Sequence, residues 1–466
     1  MTPYTLAENE DSLDFFYENE IIEETSQIIW ENCVIPSTLS IIHIIYKIVL
    51  VNFMFAILVS SVRLGQNLFH ALSGSCGIYL ISHLESTEGK LLVVIFFSLS
   101  YLILFTSYIQ KKYYPIQKEN IDKIRYLSSS NIIKYALIII LVLCEYFLMK
   151  TETWMEIRGL VMIFSMKLIS LADDIDKDAI DFPNYFQYFG YIFSGANVMF
   201  GPWISFQDYI LMYNQPTKKN LKWILSIARA LLLSIFFLTV SNCWTSYIIK
   251  DDMNIFLVSY KEALSFRTSH YFVSFLSEAS MLAAGLKNIK IWNEPNKWQY
   301  KIVDPLKIEL PTALATVVTH WNKPMHDFLK KYVYKCWLPL GKFYGILATF
   351  IMSSFLHGFE LKVSVVLISI GIFSYLQFAA RDYFARAFNC CIRVYPCRDG
   401  CTHKYKRCTI IPGCFRLFFS VTNIIHLIYL GMLMDPSTDD IGIIKKWKNL
   451  YFISFWLMFV NVLIVM

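Results

Sequence analysis

Chemistry in this chain centres on one imidazole. His357 stands deep in a long apolar helical pattern, between Phe355-Leu356 and Gly358-Phe359, in a run otherwise fit for lipid. Ionisable groups at membrane depth are costly to keep, face a cavity and mark functional sites. A neutral imidazole takes a proton from a hydroxyl near pH 7, so His357 is the candidate general base. On a helix, Ser353 and Ser354 share its face, four and three residues before it, and are candidate substrate contacts. Glu360, three residues on, could orient the ring if the helix continues past Gly358. The competing reading of His357 is a histidine hydrogen-bonded to a neighbouring helix for packing.

Upstream lies His320-Trp321-Asn322-Lys323-Pro324. Asn322 is either a helix cap or a fixed amide that holds a carbonyl or a developing oxyanion. Trp321 and Lys323 are candidate substrate contacts, with Lys323 suited to a phosphate; a Trp-Lys pair is equally common at a membrane interface. Of eleven cysteines, Cys390, Cys391, Cys397, Cys401, Cys408 and Cys414 crowd into one basic stretch with His403. Reduced thiols rank first there. Acylation at Cys390 or Cys391, or disulfides, rank second. Zinc ranks last because no paired C-x-x-C spacing is present, so no metal is expected. Asp173, Asp174, Asp176, Asp178 and Asp181 read as a solvated acidic loop, the ordinary meaning of such a run.

Such residues need a vessel. The 466 residues are 56% hydrophobic, 17% aromatic and only 17% charged, with a mean hydropathy of +0.46. A soluble domain carries roughly a quarter charged residues, so an ordinary soluble globule is excluded. Apolar runs of about 20 residues cross a bilayer as helices. They begin at residues 39–62 and recur at 91–109, 132–149, 221–249, 361–378, 411–434 and 452–466. Shorter or more polar candidates lie at 68–84, 154–172 and in the helix leading to His357. The expected fold is all-α, a polytopic bundle of about 10–12 membrane helices. Residues 185–206 are apolar but broken at Gly201-Pro202, and irregular backbone at membrane depth survives only where protein or a cavity satisfies it. Residues 255–286 carry Lys261, Glu262, Arg267, His270 and Glu278 among apolar neighbours, as one helix or two lining a polar interior.

Residues 1–38 hold nine acids and no Lys or Arg, and read as a disordered acidic tail before a single membrane domain at 39–466. Residues 381–408 carry seven Lys/Arg against two Asp, which places that loop in the cytoplasm and the acidic tail on the lumenal side. No internal repeat of the kind common in transporters is present.

WNKP at residues 321–324 together with SSFLHG at residues 353–358 resembles the membrane-bound O-acyltransferases. Further strings carry the resemblance from about residue 185 to 431: FGPWISF at 200–206, HWNKPMHDFLKKYVY from His320 and SSFLHGFELKVSVVLIS from Ser353. Asn322 and His357 stand where that family has its characteristic Asn and intramembrane His. The resemblance implies a multi-pass protein of the endoplasmic reticulum membrane with a substrate tunnel. It also implies the branch that moves a palmitoleoyl group from palmitoleoyl-CoA to a serine of Wnt proteins, a step needed for Wnt secretion and signalling. In that reading His357 is the general base, Asn322 holds the thioester or the oxyanion, and acyl-CoA is a co-substrate, with no metal or redox cofactor. Residues 343–350 and 200–204 are candidates, by position, for lining the acyl tunnel. A lipid alcohol acceptor (sterol, diacylglycerol or lysophospholipid) and a membrane transporter are the alternatives.

Overall fold

Backbone in hydrocarbon must satisfy its own hydrogen bonds, which favours helix wherever a run is long, apolar and free of proline. The computed structural model accordingly contains helices and, among the described residues, no strand beyond one isolated bridge between Cys390 and Tyr405. It describes residues 27–113, 129–214, 219–286, 301–394, 397, 401–406, 409–434 and 442–465.

Among the described residues five helices are long and apolar enough to cross a membrane: α1 (Gln27–Ser61), α3 (Thr87–Tyr113), α8 (Leu221–Ile248), α13 (Leu361–Ala387) and α14, whose regular part is Ile410–Gly431. Two shorter apolar helices are α12 (Lys342–Leu356) and α15 (Ile453–Val465). The other expected spans also form helices but are shorter or more polar. They are α2 (Gln66–Ile81), α4 (Ser129–Leu143), α5 (Thr151–Asp176), α6 (Tyr185–Ile192) and α9 (Ile255–Ala283). Short helices α7 (Phe206–Asn214), α10 (Leu314–Trp321) and α11 (Lys323–Leu329) complete the path to the site.

Two expectations change. Residues 27–38 belong to α1 rather than to a tail, while the tail's earlier residues lie outside the described ones. The helix runs through Pro36 with a π turn just before it at Trp30–Val34, and Thr38 Oγ1 donates to the Val34 carbonyl at 2.8 Å. The Cys33–Cys243 disulfide and the edge-to-face pair Trp30–Trp244 hold the added turns. Second, Asp173 and Asp174 are buried in α5 instead of lying in a solvated loop. Asp173 pairs with Lys134 and Lys177, and Asp174 with Lys331. Of the two readings open for residues 255–286, one helix forms, over Ile255–Ala283.

The break after α6 is buried except near Phe200, which is exposed. Residues 193–205 leave the helix, and side chains from three helices take up their backbone. Lys167 of α5 donates to the carbonyls of Tyr191 (2.8 Å) and Ile192 (3.0 Å) and to Asn197 Oδ1 (2.8 Å). Asn52 of α1 donates to the Gly195 carbonyl at 3.0 Å, and Ser280 of α9 to that of Ala196 at 2.8 Å. Gly77 of α2 is required here, since a Cβ would collide with the Phe193 carbonyl. Trp203 and Ile204, proposed as tunnel lining, are buried, with Trp203 against Phe328 and Tyr332.

The two ends of the bundle can be told apart. The disulfide joins the start of α1 to the end of α8. A short connection then turns the chain into α9, which packs along α8 as it runs back. Near the start of α9, Ala263 sits against Gly431 at the end of α14, 2.8 Å from where its Cβ would be. The start of α14, and the loop before it, therefore lie at the end of the bundle opposite the disulfide.

Candidate active site

His357 is the C-cap of α12, φ −84° and ψ 13°. The chain stops there in a Schellman arrangement: Phe359 N–H donates to the Ser354 carbonyl at 2.8 Å and Gly358 N–H to that of Phe355 at 2.9 Å. Gly358 has φ +82°, the left-handed region that glycine adopts at least cost, and a Cβ there would strike the Glu145 carboxylate. Phe359 follows at φ +62°. The turn is held from outside as well. Tyr146 Oη donates to the Phe359 carbonyl at 2.9 Å, and Arg158 of α5 pairs with Glu360 at 2.7 Å. Glu360 thus does not orient the imidazole as a helix through Gly358 would have required; it neutralises Arg158. Among the described residues no hydrogen bond reaches the His357 ring, which lies within electrostatic range of Arg158 and His270.

Asn322 occupies the break between α10 and α11, extended at φ −146° and ψ 91°, with Pro324 in the first turn that follows. Its Oδ1 accepts the Met325 N–H at 3.1 Å, so half of the amide is a helix cap. That bond fixes which end is oxygen and leaves Nδ2 as an outward donor, with no hydrogen bond among the described residues. Two backbone bonds brace the break: Lys323 N–H to the Ile302 carbonyl at 2.9 Å and Asp304 N–H to that of His320 at 3.1 Å. Helix α11, which follows Asn322, touches α12, which ends at His357.

His270 joins them. Its ring lies flat on the Trp321 indole, centroids 4.3 Å apart and planes 7° from parallel, and its Nε2 is 2.9 Å from the Trp321 carbonyl. A carbonyl only accepts, so the proton sits on Nε2 and Nδ1 is left unprotonated. His270 is midway along the 29-residue α9, about 20 Å from either end at ~1.5 Å per residue. The site therefore lies near the middle of the bundle. In the sequence His270 was one of five polar residues on a mixed helix, and nothing in its spacing singled it out; its stacking partner is distant in the chain. Arg158 was missed for the same reason.

The remaining candidates spread out. Trp321 clamps His270. Lys323 is 4.0 Å from Asp304 and within electrostatic range of Lys301 and Glu278. Glu278, two turns beyond His270 towards the end of α9, is buried and pairs with Arg229 at 3.1 Å. Ser354 is fully buried and its hydroxyl donates to the Phe350 carbonyl at 3.0 Å, while Ser353 supplies the carbonyl that accepts the His357 N–H at 3.1 Å. The candidate site thus offers one imidazole and one amide donor without a hydrogen bond among the described residues, each at a helix end, with the stacked His270–Trp321 pair next to Asn322. An imidazole and an amide donor suit proton abstraction from a hydroxyl with stabilisation of an oxyanion.

A profile of the membrane-bound O-acyltransferase family matches residues 78–431. The chain is 31% identical to protein-serine O-palmitoleoyltransferase porcupine of Anopheles gambiae, over 95% of this chain and 93% of the relative. It is 32% identical to the protein of the same name in Homo sapiens, over 69% of this chain and 76% of the relative. The Mus musculus protein matches at 32% over the same shares. By its helical fold and by the extent of these matches, the chain belongs to the membrane-bound O-acyltransferase family.

Proposed function

We propose that this acyltransferase is a protein-serine O-palmitoleoyltransferase of the endoplasmic reticulum membrane, and that it moves the acyl group of palmitoleoyl-CoA to a serine of Wnt proteins. The observation that carries the mechanism is the pair of unspent polar groups on His357 and Asn322 at mid-bundle. CoA is too charged to cross lipid and a secretory acceptor cannot reach the cytosol, so the two must meet between the faces. Lys301, Lys323 and Arg229 gather around Glu278 on the side of the site away from the disulfide, where a CoA phosphate would arrive.

His357 takes the serine proton as the hydroxyl oxygen attacks the thioester carbonyl. Asn322 Nδ2 donates to the oxyanion of the tetrahedral intermediate. Collapse breaks the C–S bond, the ester forms, and the departing CoA thiolate recovers the proton from the imidazolium. General-base help of this kind is worth about 10²–10⁴ in rate, and an oxyanion donor about 10²–10³. The exchange of thioester for ester is redox-neutral, and His357 and Asn322 suffice for it without a metal or redox cofactor.

The test is acyl transfer by the purified chain from palmitoleoyl-CoA to a Wnt-derived serine peptide, its Ser→Ala partner and a lysophospholipid. Label on the serine peptide alone is the expected result. Label on the lysophospholipid with the peptide ignored would overturn the protein acceptor.

A further inference from the structure

We propose that Cys391, Cys397, Cys401 and His403 bind one structural zinc ion in the basic loop between α13 and α14. The four ligand atoms all lie within 4.8 Å of one another. Cys391 Sγ is 3.5 Å from Cys401 Sγ, and His403 Nδ1 is 3.7 Å from Cys391 Sγ and 3.6 Å from Cys397 Sγ. A tetrahedral zinc with bonds of about 2.3 Å to sulfur and 2.05 Å to nitrogen has edges of about 3.8 Å between sulfurs and 3.6 Å from sulfur to nitrogen. The three separations lie within about 0.3 Å of those edges.

Sequence spacing ranked zinc last because the ligands run Cys-x₅-Cys-x₃-Cys-x-His, with no C-x-x-C turn. The backbone supplies the convergence instead. Cys391 N–H donates to the Tyr405 carbonyl at 2.9 Å, and Tyr405 N–H to that of Asn389 at 3.1 Å, so the segment before Cys391 lies alongside the segment after His403. Acylation fits poorly, since Cys390 is fully buried and Cys391 is 8% exposed. Disulfide use fits poorly too. The loop is at the end of the bundle opposite Cys33–Cys243, so if that bridge faces an oxidising lumen the loop faces the reducing cytosol, where thiolates hold metal.

Three thiolates and a neutral imidazole leave zinc with one net negative charge. Lys406 answers it, with Nζ 3.5 Å from Cys401 Sγ. Three sulfurs with one imidazole favour zinc over the Cys₄ sets that hold iron–sulfur clusters. The ion does not touch the reaction centre. Its reach is through Arg381, 2% exposed in α13, which donates to the Ile392 carbonyl beside Cys391 and to the Thr312 carbonyl just before α10. Zinc here staples the loop and, through Arg381, braces the approach to the helix that ends at Trp321.

The test is elemental analysis of the full-length protein purified in detergent without added metal, with X-ray absorption at the zinc edge. About one zinc per chain, in a shell of three sulfurs and one nitrogen, is expected. Cys397→Ser and His403→Ala should lose most of it, while Cys336→Ser and Cys414→Ser, which change exposed thiols outside the cluster, should keep it. Folded wild-type protein that is zinc-free, with Cys391, Cys397 and Cys401 all open to maleimide, would overturn the proposal. So would a Cys391–Cys401 disulfide found by mass spectrometry, or a zinc shell without sulfur. Because the wild-type measurements decide, a variant that fails to fold does not blunt the test.

Discussion

Two polar constellations lie inside the bundle, and they are built on opposite rules. Around residues 193–205 the two clamping side chains are spent, although Ser194 Oγ is left without a partner: the Lys167 ammonium meets three acceptors, and Asn197 both accepts from it and donates to the Pro202 carbonyl at 3.0 Å. At the reaction centre the scaffold is equally well bonded, through the Schellman turn, the Asn322 cap and the Trp321 carbonyl, but the His357 ring and Asn322 Nδ2 are left over. Buried polar groups cost free energy unless paired. A lysine that satisfies broken backbone is architecture; an imidazole kept without a partner is capacity held for a substrate.

That contrast can be broken by exchanging what each site loses. His357→Ala should show the largest effect, acyl transfer falling about 10²–10⁴-fold while the detergent-solubilised protein keeps its melting temperature. A fully active variant would remove His357 from the mechanism. Asn322→Ala should cost about 10²–10³ in kcat. Because the Oδ1 cap is lost as well, Asn322→Asp is the sharper probe: it keeps the cap without the Nδ2 donor and should be just as slow at an unchanged melting temperature. Gly358→Ala, which meets Glu145 and a left-handed backbone, should misplace the imidazole and lower kcat about 10²-fold, with near-normal acyl-CoA binding.

Lys167→Met should invert the pattern. Leaving two carbonyls and the Asn197 oxygen unpaired costs about 1–3 kcal/mol each, seen as a lower melting temperature and poor yield, with specific activity of the folded fraction preserved. Loss of activity at full stability would show that Lys167 belongs to the chemistry. The smallest effect is expected from Glu360→Gln, since a half-exposed ion pair is worth at most about 1 kcal/mol, or roughly a fivefold change in kcat/KM.

The same contrast explains what could be read in advance. His357 was legible because an imidazole in a lipid-like run is expensive, and Asn322 because a short motif set it beside that histidine. His270 was not, because its role depends on a stack with Trp321, 51 residues away. Most of the helices announced themselves by apolar length. The first turns of α1 did not, since the acidic run before residue 39 looks solvated and only the partner cysteine at Cys243 shows why the helix reaches back further. Asp173 and Asp174 looked solvated because Lys134 and Lys331, which pay for their burial, are distant in the chain. The convergence of the thiol cluster was hidden because its residues meet beside an isolated backbone bridge between Cys390 and Tyr405 rather than in a tight turn.

The Cys33–Cys243 bridge also sets a clock. Its halves are 210 residues apart, and Cys243 is made only after α2–α7, the helices described between, and most of α8 have followed α1. At synthesis rates of about 5–20 residues per second, the first cysteine waits roughly 10–40 s for its partner. Through that interval α1 is held by packing alone, and mispairing of Cys33 with another thiol is the hazard that a nearby oxidoreductase would have to correct.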